Sequence, residues 1–340
     1  MCIPTGGASE TLAERHWWKT EDSKGAYRRK ATSYAVLALA LSACAVLAEG
    51  DGAPKPGEKR INPTDSAEMV FVPGGEFLMG SDPKEIDELW AKTGWDADWK
   101  KYAADESPKH NVKVDGFWMY ATEVTNEQYG KFLKATQHRE PVFWKDGRFN
   151  GPKQAAAFVS WDDAQAYCNW AGARLPTESE FEYALRGGDD RVFPWGNEYP
   201  SKTKCYCLLE GVVGLLVPSE TGLTRKLFLK HVLLGYDNRY GVLDPVGYGV
   251  PDPVGNYPAN PYGLFDLEGN VYEWCADWYD KYPLSTMSSD DFGQKYRVVR
   301  GGGCYCYPDS QRCAVRRQSL PDGVDGHVGF RCVALRGRGP

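Results

Sequence analysis

Positive charge never accumulates in this chain. In 340 residues no basic run is longer than Arg28-Arg29-Lys30, and Lys+Arg 40 against Asp+Glu 46 leaves a formal charge of -6. Without a cationic stripe there is no electrostatic footprint for a phosphate backbone, which argues against nucleic acid as a partner. Long apolar runs are lacking as well: the most apolar stretch, Tyr34 to Ala48 (YAVLALALSACAVLA), is too short to span a bilayer comfortably. No solenoid-type repeat is visible, and beyond Phe193 no segment carries a convincing helical period. What the chain has in quantity is turn-formers and large flat side chains, with Gly 37, Pro 22, Trp 12 and Tyr 20. A hydrophobic fraction of 42% supplies a real core, so whole-chain disorder and collagen are excluded, and the length allows one large domain or two ordinary ones. Such a composition predicts a loop-rich body poor in long helices.

The apolar stretch follows Arg28, Arg29 and Lys30 and ends in small residues, which reads as an export signal over residues 1–48. Leu41-Ser42-Ala43-Cys44 resembles a bacterial lipobox, which would make Cys44 the lipidation site and a lipid chain the membrane anchor. Ordinary cleavage after Val46-Leu47-Ala48 is the alternative, with a secreted product. Residues 49–66, rich in Gly and Pro and nearly devoid of apolar side chains, read as a flexible tether. The folded body is expected to begin near Ala67. In an oxidising compartment thiols tend to pair. Setting aside Cys2 and Cys44, eight remain: Cys168, Cys205, Cys207, Cys275, Cys304, Cys306, Cys313 and Cys332. An even number is compatible with full pairing without proving it.

Met69 to Gly80 is two strand-like runs about Pro73-Gly74-Gly75 and predicts a hairpin. Val112, Val114 and Phe117 to Tyr120 predict another strand. Three capping-box patterns, Thr125 to Gln128, Ser160 to Asp163 and Thr177 to Glu180, each open an apolar period and predict short helices. The stretch 204–249, with a Leu/Val-rich run, fits no element and is anomalous. His110 and His327 are isolated and read as surface or hydrogen-bonded residues. Trp161, Trp170, Trp195, Trp274 and Trp278 read as core aromatics, whereas an exposed pair would suggest sugar or peptide binding.

Six segments in order carry a family resemblance: EMVFVPGGEFLMGS, FWMYATEVTNEQYGKFL, VSWDDAQAYCNWAGARLPTESEFEYALRGG, FPWGNE, NPYGLFDLEGNVYEWCADWY and RVVRGGG with RCAVRR and GFRCV. They resemble the formylglycine-generating enzyme, or sulfatase-modifying factor, domain over roughly residues 67–336. The resemblance implies an α+β fold, a C-type-lectin-like variant with short helices, small sheets and long loops.

Active members of that family oxidise a substrate cysteine to formylglycine with O2 and a copper(I) held by two thiolates, and soft Cu(I) suits such ligands. The resemblance puts Cys306 at the first metal cysteine and Gln311 at the second. Gly303 falls at a serine, Ser310 at a tyrosine and Tyr272 at a tryptophan. Four departures at one site argue against the known mechanism, although Cys304 or Cys313 could serve as another thiol. Cys304 and Cys306, if extended, share a face with attachment points roughly 6.5 Å apart. Copper, a disulfide arrangement with Cys205 and Cys207 or with Cys275, free or redox thiols, and a four-thiolate zinc site all remain open. Cys168 and Cys332 match a family disulfide, for which loop closure predicts about 5 kcal/mol. Cys313 matches half of another, whose partner position is Leu185. Asp266, Gly269, Val271 and Glu273 match a calcium site of side-chain and backbone oxygens. Arg316, Arg317 and Arg331 either grip an acidic ligand or form buried ion pairs.

Fold does not fix function. The expectation is an exported, non-catalytic module binding a protein, peptide or glycan. The alternative is a copper-dependent oxidase making formylglycine on sulfatases. Relatives that make sulfoxides need a further histidine-bearing helical domain, which does not fit here.

Overall fold

The computed structural model describes residues 53–201, 204, 250–303 and 308–335. Residues 1–52, including Cys44, lie outside that range, as do Cys205, Cys207, Cys304, Cys306 and all of the anomalous stretch except Lys204.

The body begins earlier than the sequence suggests. Strand β1 (Lys59–Ile61) pairs antiparallel with β2 (Glu68–Val72). The turn between them is pinned from within: the Tyr120 and Tyr167 hydroxyls both donate to Asp65 Oδ2, at 2.7 and 2.5 Å, and Asn62 Nδ2 donates to the Tyr120 hydroxyl at 2.8 Å. The expected tether over residues 49–66 is therefore corrected at its C-terminal end. A polar composition failed to reveal that Asn62 and Asp65 would be buried as hydrogen-bonding partners of core tyrosines.

The hairpin expected over Met69 to Gly80 is also corrected. Its second half is β3 (Gly75–Met79), which pairs not with β2 but with β4 (His110–Val114), while β2 pairs with β5 (Phe117–Tyr120). Two segments of the chain, β2 to β3 and β4 to β5, thus run antiparallel side by side and pass together from one sheet to the next. They bend at Gly74, where a Cβ would lie 2.7 Å from the Gly116 nitrogen and 2.9 Å from the Val114 oxygen. The Pro-Gly-Gly signal marks this close crossing rather than a reversal.

The three capped helices form as the local pattern requires. Helices α3 (Asn126–Thr136), α4 (Trp161–Trp170) and α5 (Glu178–Arg186) start at Thr125, Ser160 and Thr177, each with a reciprocal capping box. Before them come α1 (Pro83–Thr93) and the single-turn α2 (Ala97–Lys100). The box at Asp82 and Glu85, with Pro83 at the first helical position, was a legible start signal for α1 that the sequence reading missed.

The remaining strands are β6 (Tyr272–Trp278), β7 (Arg297–Arg300), β8 (Arg317–Ser319), β9 (Val328–Gly329) and β10 (Val333–Leu335). Among the described residues they complete two four-stranded sheets, β1-β2-β5-β10 and β8-β7-β6-β9, beside the two-stranded β3-β4. The β6–β9 pairing is parallel and the others are antiparallel. Helices α3 and α4 cover one side of the core through Tyr129, Phe132, Ala164, Tyr167 and Cys168, and α5 covers another through Phe181, Ala184 and Leu185. Small sheets, short helices and long connections are what the composition implied.

Candidate functional site

The segments named by the metal-site resemblance converge where β7 ends. Arg300 closes the strand, Gly301 to Gly303 follow, and a 3-10 turn at Pro308–Gln311 leads to Arg312 and Cys313. The loop 266–271 runs alongside, with the Gly269 nitrogen donating to the Gly301 carbonyl at 2.7 Å.

Of the three candidate thiols, Cys304 and Cys306 lie outside the described residues. Cys313 is a free thiol with no solvent exposure. Its nitrogen donates to the Val192 carbonyl at 2.8 Å, and its carbonyl accepts from Arg300 at 3.1 Å. Burial pushes its thiol well above the ordinary range, with Arg186 opposing only in part. Cys313 therefore sits in the core, its thiol closed to solvent, whereas a reactive thiolate is ordinarily accessible. Cys275 is likewise free, buried and shifted upward, first by burial.

At the second metal-cysteine position stands Gln311, fully buried, with neither its Oε1 nor its Nε2 hydrogen-bonded. Facing it is Glu268, 3% exposed, with both carboxyl oxygens also unpartnered. The two meet over Gly302. A Cβ built there, at φ +64°, would lie 2.9 Å from Gln311 Nε2 and 3.1 Å from Glu268 Oε2. Burial raises the Glu268 carboxyl well above its usual value, against the pull of Arg300 and Arg312. Leaving such a group unsatisfied costs about 1–3 kcal/mol. The sequence reading missed Glu268, because an acid in a Gly-Asn turn reads as solvated.

The nearby arginines are occupied. Arg316 makes a two-pronged pair with Glu178 at 2.7 and 2.8 Å, and Arg331 does the same with Glu273. Both arginines are at most 2% exposed, so the buried-ion-pair alternative holds for these two. Arg317 is half-buried and donates to the Arg316 carbonyl at 2.9 Å. Deeper in, Glu182 holds Arg186 and Arg300 together, and Glu106 holds Arg312. His110 and His327 sit against the Pro108 carbonyl and Asp325. Of the five tryptophans singled out, Trp274 is wholly buried and the others are half-buried. Trp161 and Trp278 clasp the Arg297 guanidinium, whose carbon lies 3.7 and 3.5 Å from their ring centroids.

The calcium residues come together around a buried surplus of acid. Glu123, Asp266 and Glu273 are no more than 4% exposed, and Arg331 is the guanidinium set against them. Burial raises all three carboxyls. Asp266 adds to the rise at Glu123 and Glu273, and Arg331 opposes it. Glu123 Oε2 has no hydrogen-bond partner, a further donor that the motif did not name. The charge suits a hard cation. The donors are differently committed: Glu273 gives both oxygens to Arg331, and Asp266 accepts from the Gly255 and Tyr257 nitrogens. Among the described residues, no group of three or more His, Cys, Asp or Glu side chains is arranged to hold a metal ion.

The expected Cys168–Cys332 disulfide is not formed in the structure: both are free, wholly buried thiols. The α4 inner face nevertheless brings Cys168 into hydrogen-bonding contact with Cys332, which raises the Cys332 thiol further after burial. The two thiols meet where the expectation places them.

Comparison with known proteins follows the same lines. A family model described as "Sulfatase-modifying factor enzyme 1-like domain" matches residues 55–335. The chain is 31% identical over 324 residues to the formylglycine-generating enzyme of Mus musculus, covering 80% of this chain and 76% of that one. It is also 31% identical over 306 residues to "Inactive C-alpha-formylglycine-generating enzyme 2" of Bos taurus, covering 80% and 89%. Among solved structures, PvdO from Pseudomonas aeruginosa superposes with a TM-score of 0.57 at 26% identity, over 83% of this chain and 99% of that one. Catalytic and inactive relatives are thus equally similar in sequence, and the fold is the α+β, C-type-lectin-like arrangement that the motifs implied.

Proposed function

We propose, from the premise that this chain belongs to the sulfatase-modifying factor enzyme 1-like family, that it is a non-catalytic member acting outside the cytoplasm as a binding module for a protein, peptide or glycan. One observation carries the reading: where the resemblance requires a second copper thiolate, the chain has the buried carboxamide of Gln311, and Cys313, two residues on in sequence, is a thiol closed to solvent. A carboxamide is a poor ligand for Cu(I), so the position that the resemblance gives to the second thiolate cannot complete the two-sulfur clamp with Cys306. The leader and Cys44 support export and lipid anchoring, which radiolabelled palmitate incorporation, lost in Cys44→Ser, would test.

Calcium belongs to the same reading. Asp266 and Glu273, with the carbonyls of Gly269 and Val271, would hold it, and Glu123 supplies the uncommitted oxygen. Filling the site requires Arg331 or the Gly255 to Tyr257 turn to release a carboxylate oxygen. Bound calcium would neutralise buried acid and stiffen the 266–273 segment beneath the Gly301 to Gly303 run.

The deciding experiment is to load the full chain with Cu(I), supply O2 and a Cys-x-Pro-x-Arg peptide, and look for formylglycine by mass spectrometry. No turnover, together with no stoichiometric copper retention, is expected. Turnover abolished by Cys306→Ala would establish the oxidase instead.

A further inference from the structure

A cavity of about 320 Å³ opens between α1 and the end of α5. Arg186 lines it and donates all five of its N–H groups to the protein: to Glu182 Oε1 at 3.0 and 2.8 Å, to Asp190 Oδ1 at 3.0 Å, and to the Arg191 and Gly80 carbonyls at 3.2 and 3.0 Å. A planar guanidinium with every N–H spent cannot grip an anion, and what it has left for a ligand is its flat face. Elsewhere such faces are covered by rings: Arg297 by Trp161 and Trp278, Arg316 by Tyr279 and Tyr282, and Arg312 by Trp90, with the guanidinium carbon 3.5–5.1 Å from the ring centroids. Arg300 and Arg331 have no ring, but protein closes them off entirely. Among the described residues, Arg186 meets a cavity without one. Ile86 and Leu89 of α1, with Val192 and Ala314, supply apolar walls. At the rim stand Glu85, Glu88 and Asp190, each more than half exposed. Lys109 holds Glu85 and Asp190 at 3.0 and 2.7 Å, whereas Glu88 has only Lys84 at 3.8 Å and is open to a further donor. Lys92, one turn beyond Glu88, gives the α1 wall both signs of charge, so an ion of neither sign is favoured.

We propose that this cavity receives an uncharged aromatic side chain with a hydrogen-bond donor on its edge, as tyrosine has, from a peptide or protein partner. The ring lies over Arg186 between the apolar walls, and its hydroxyl donates to Glu88. A phosphate on the same ring would meet the rim carboxylates and find no N–H of Arg186 to answer it. This deepens the binding-module reading and rests on it for the existence of a partner, although the cavity is lined by none of the residues that the copper resemblance names.

The chain has three isoleucines, Ile3, Ile61 and Ile86, so 13C-methyl labelling of isoleucine in the full chain gives a sparse spectrum. Ile86 reports from the cavity wall, and Ile61, 59% exposed on β1, is the control. The Ile86 signal is assigned by its loss in Ile86→Val. N-acetyltyrosinamide should shift it saturably through the ring current and leave Ile61 in place. N-acetylphenylalaninamide, which keeps the ring without the hydroxyl, should bind at least about threefold more weakly, the worth of one hydrogen bond. N-acetyl-O-phosphotyrosinamide should bind more weakly than the tyrosine probe, and N-acetylleucinamide should give no saturable shift. Glu88→Leu alters an exposed rim position, so it is expected to fold as the parent does, and it should abolish the preference for tyrosine over phenylalanine. The proposal is overturned by an Ile86 signal that the tyrosine probe leaves unmoved or shifts without saturation, by equal binding of the leucine probe, or by preference for the phosphorylated one. A tyrosine preference that survives Glu88→Leu overturns it as well. Copper-dependent turnover would refute the binding-module reading without altering any of these outcomes, so the two failures are distinguishable.

Discussion

Removal of the Glu182 carboxylate should be among the most damaging single changes in the body. Glu182 is fully buried on α5 and accepts from Arg186 at 3.0 and 2.8 Å, from the Gly80 nitrogen at 2.8 Å, and from Arg300. Breaking a buried pair by deleting one partner typically costs about 3–5 kcal/mol, because the survivor is left charged and dry. Here two arginines would be stranded. Each keeps a fallback, Arg186 with Asp190 at 3.0 Å and Arg300 with Glu178 at 3.5 Å. That places Glu182→Ala toward the lower end, about 3 kcal/mol, a large share of the ordinary 5–15 kcal/mol. Urea melts followed by tryptophan fluorescence would measure it. The pH dependence gives a second readout. Burial alone would raise the Glu182 carboxyl, but Arg300 and Arg186 outweigh it and hold the group below its usual value. Its contribution is therefore present above about pH 4.5 and lost as pH falls through the lowered value. The parent should lose stability across that acid range more steeply than Glu182→Ala. A loss below about 1 kcal/mol, or identical acid profiles, would refute the assignment of Glu182 as the clamp between α5 and β7.

Three further outcomes follow from the same structure. Gly74→Ala should lower the melting temperature with intact secondary structure by circular dichroism, because its Cβ would meet the Gly116 nitrogen at 2.7 Å. Refolded under oxidising conditions, the full chain should yield a Cys168–Cys332 cross-link by peptide mapping. Cys168→Ala should then be markedly less stable than the oxidised parent, by up to about 5 kcal/mol on the loop-closure model. In EDTA, stability should fall as pH rises above about 4.5, because the raised carboxyls of Glu123, Asp266 and Glu273 lose their protons more readily unfolded than folded. Millimolar calcium should reverse that fall in thermal melts, and Glu123→Gln should weaken the response.

Local chemistry was legible wherever a short stretch decides its own conformation. Thr125, Ser160 and Thr177 cap helices because each can reach the backbone nitrogen three residues on, whatever the rest of the chain does. The motifs likewise fixed the family, the α+β architecture and the meeting of Cys168 with Cys332. Pairing was not legible in the same way. Pro73-Gly74-Gly75 is an equally good signal for a reversal and for a crossing, and only β4 and β5, some forty residues later, select the crossing.

Burial lies still further from the sequence. Asp65 and Glu268 both sit in turns rich in polar residues or glycine, and one becomes the acceptor for two tyrosines while the other is left dry and unpartnered. A residue's identity sets which hydrogen bonds it can make, and that much the sequence determined alone. Whether water or protein answers those bonds depends on segments far apart in the chain packing over the same point. For Glu268 and Gln311 only the tertiary structure could decide it.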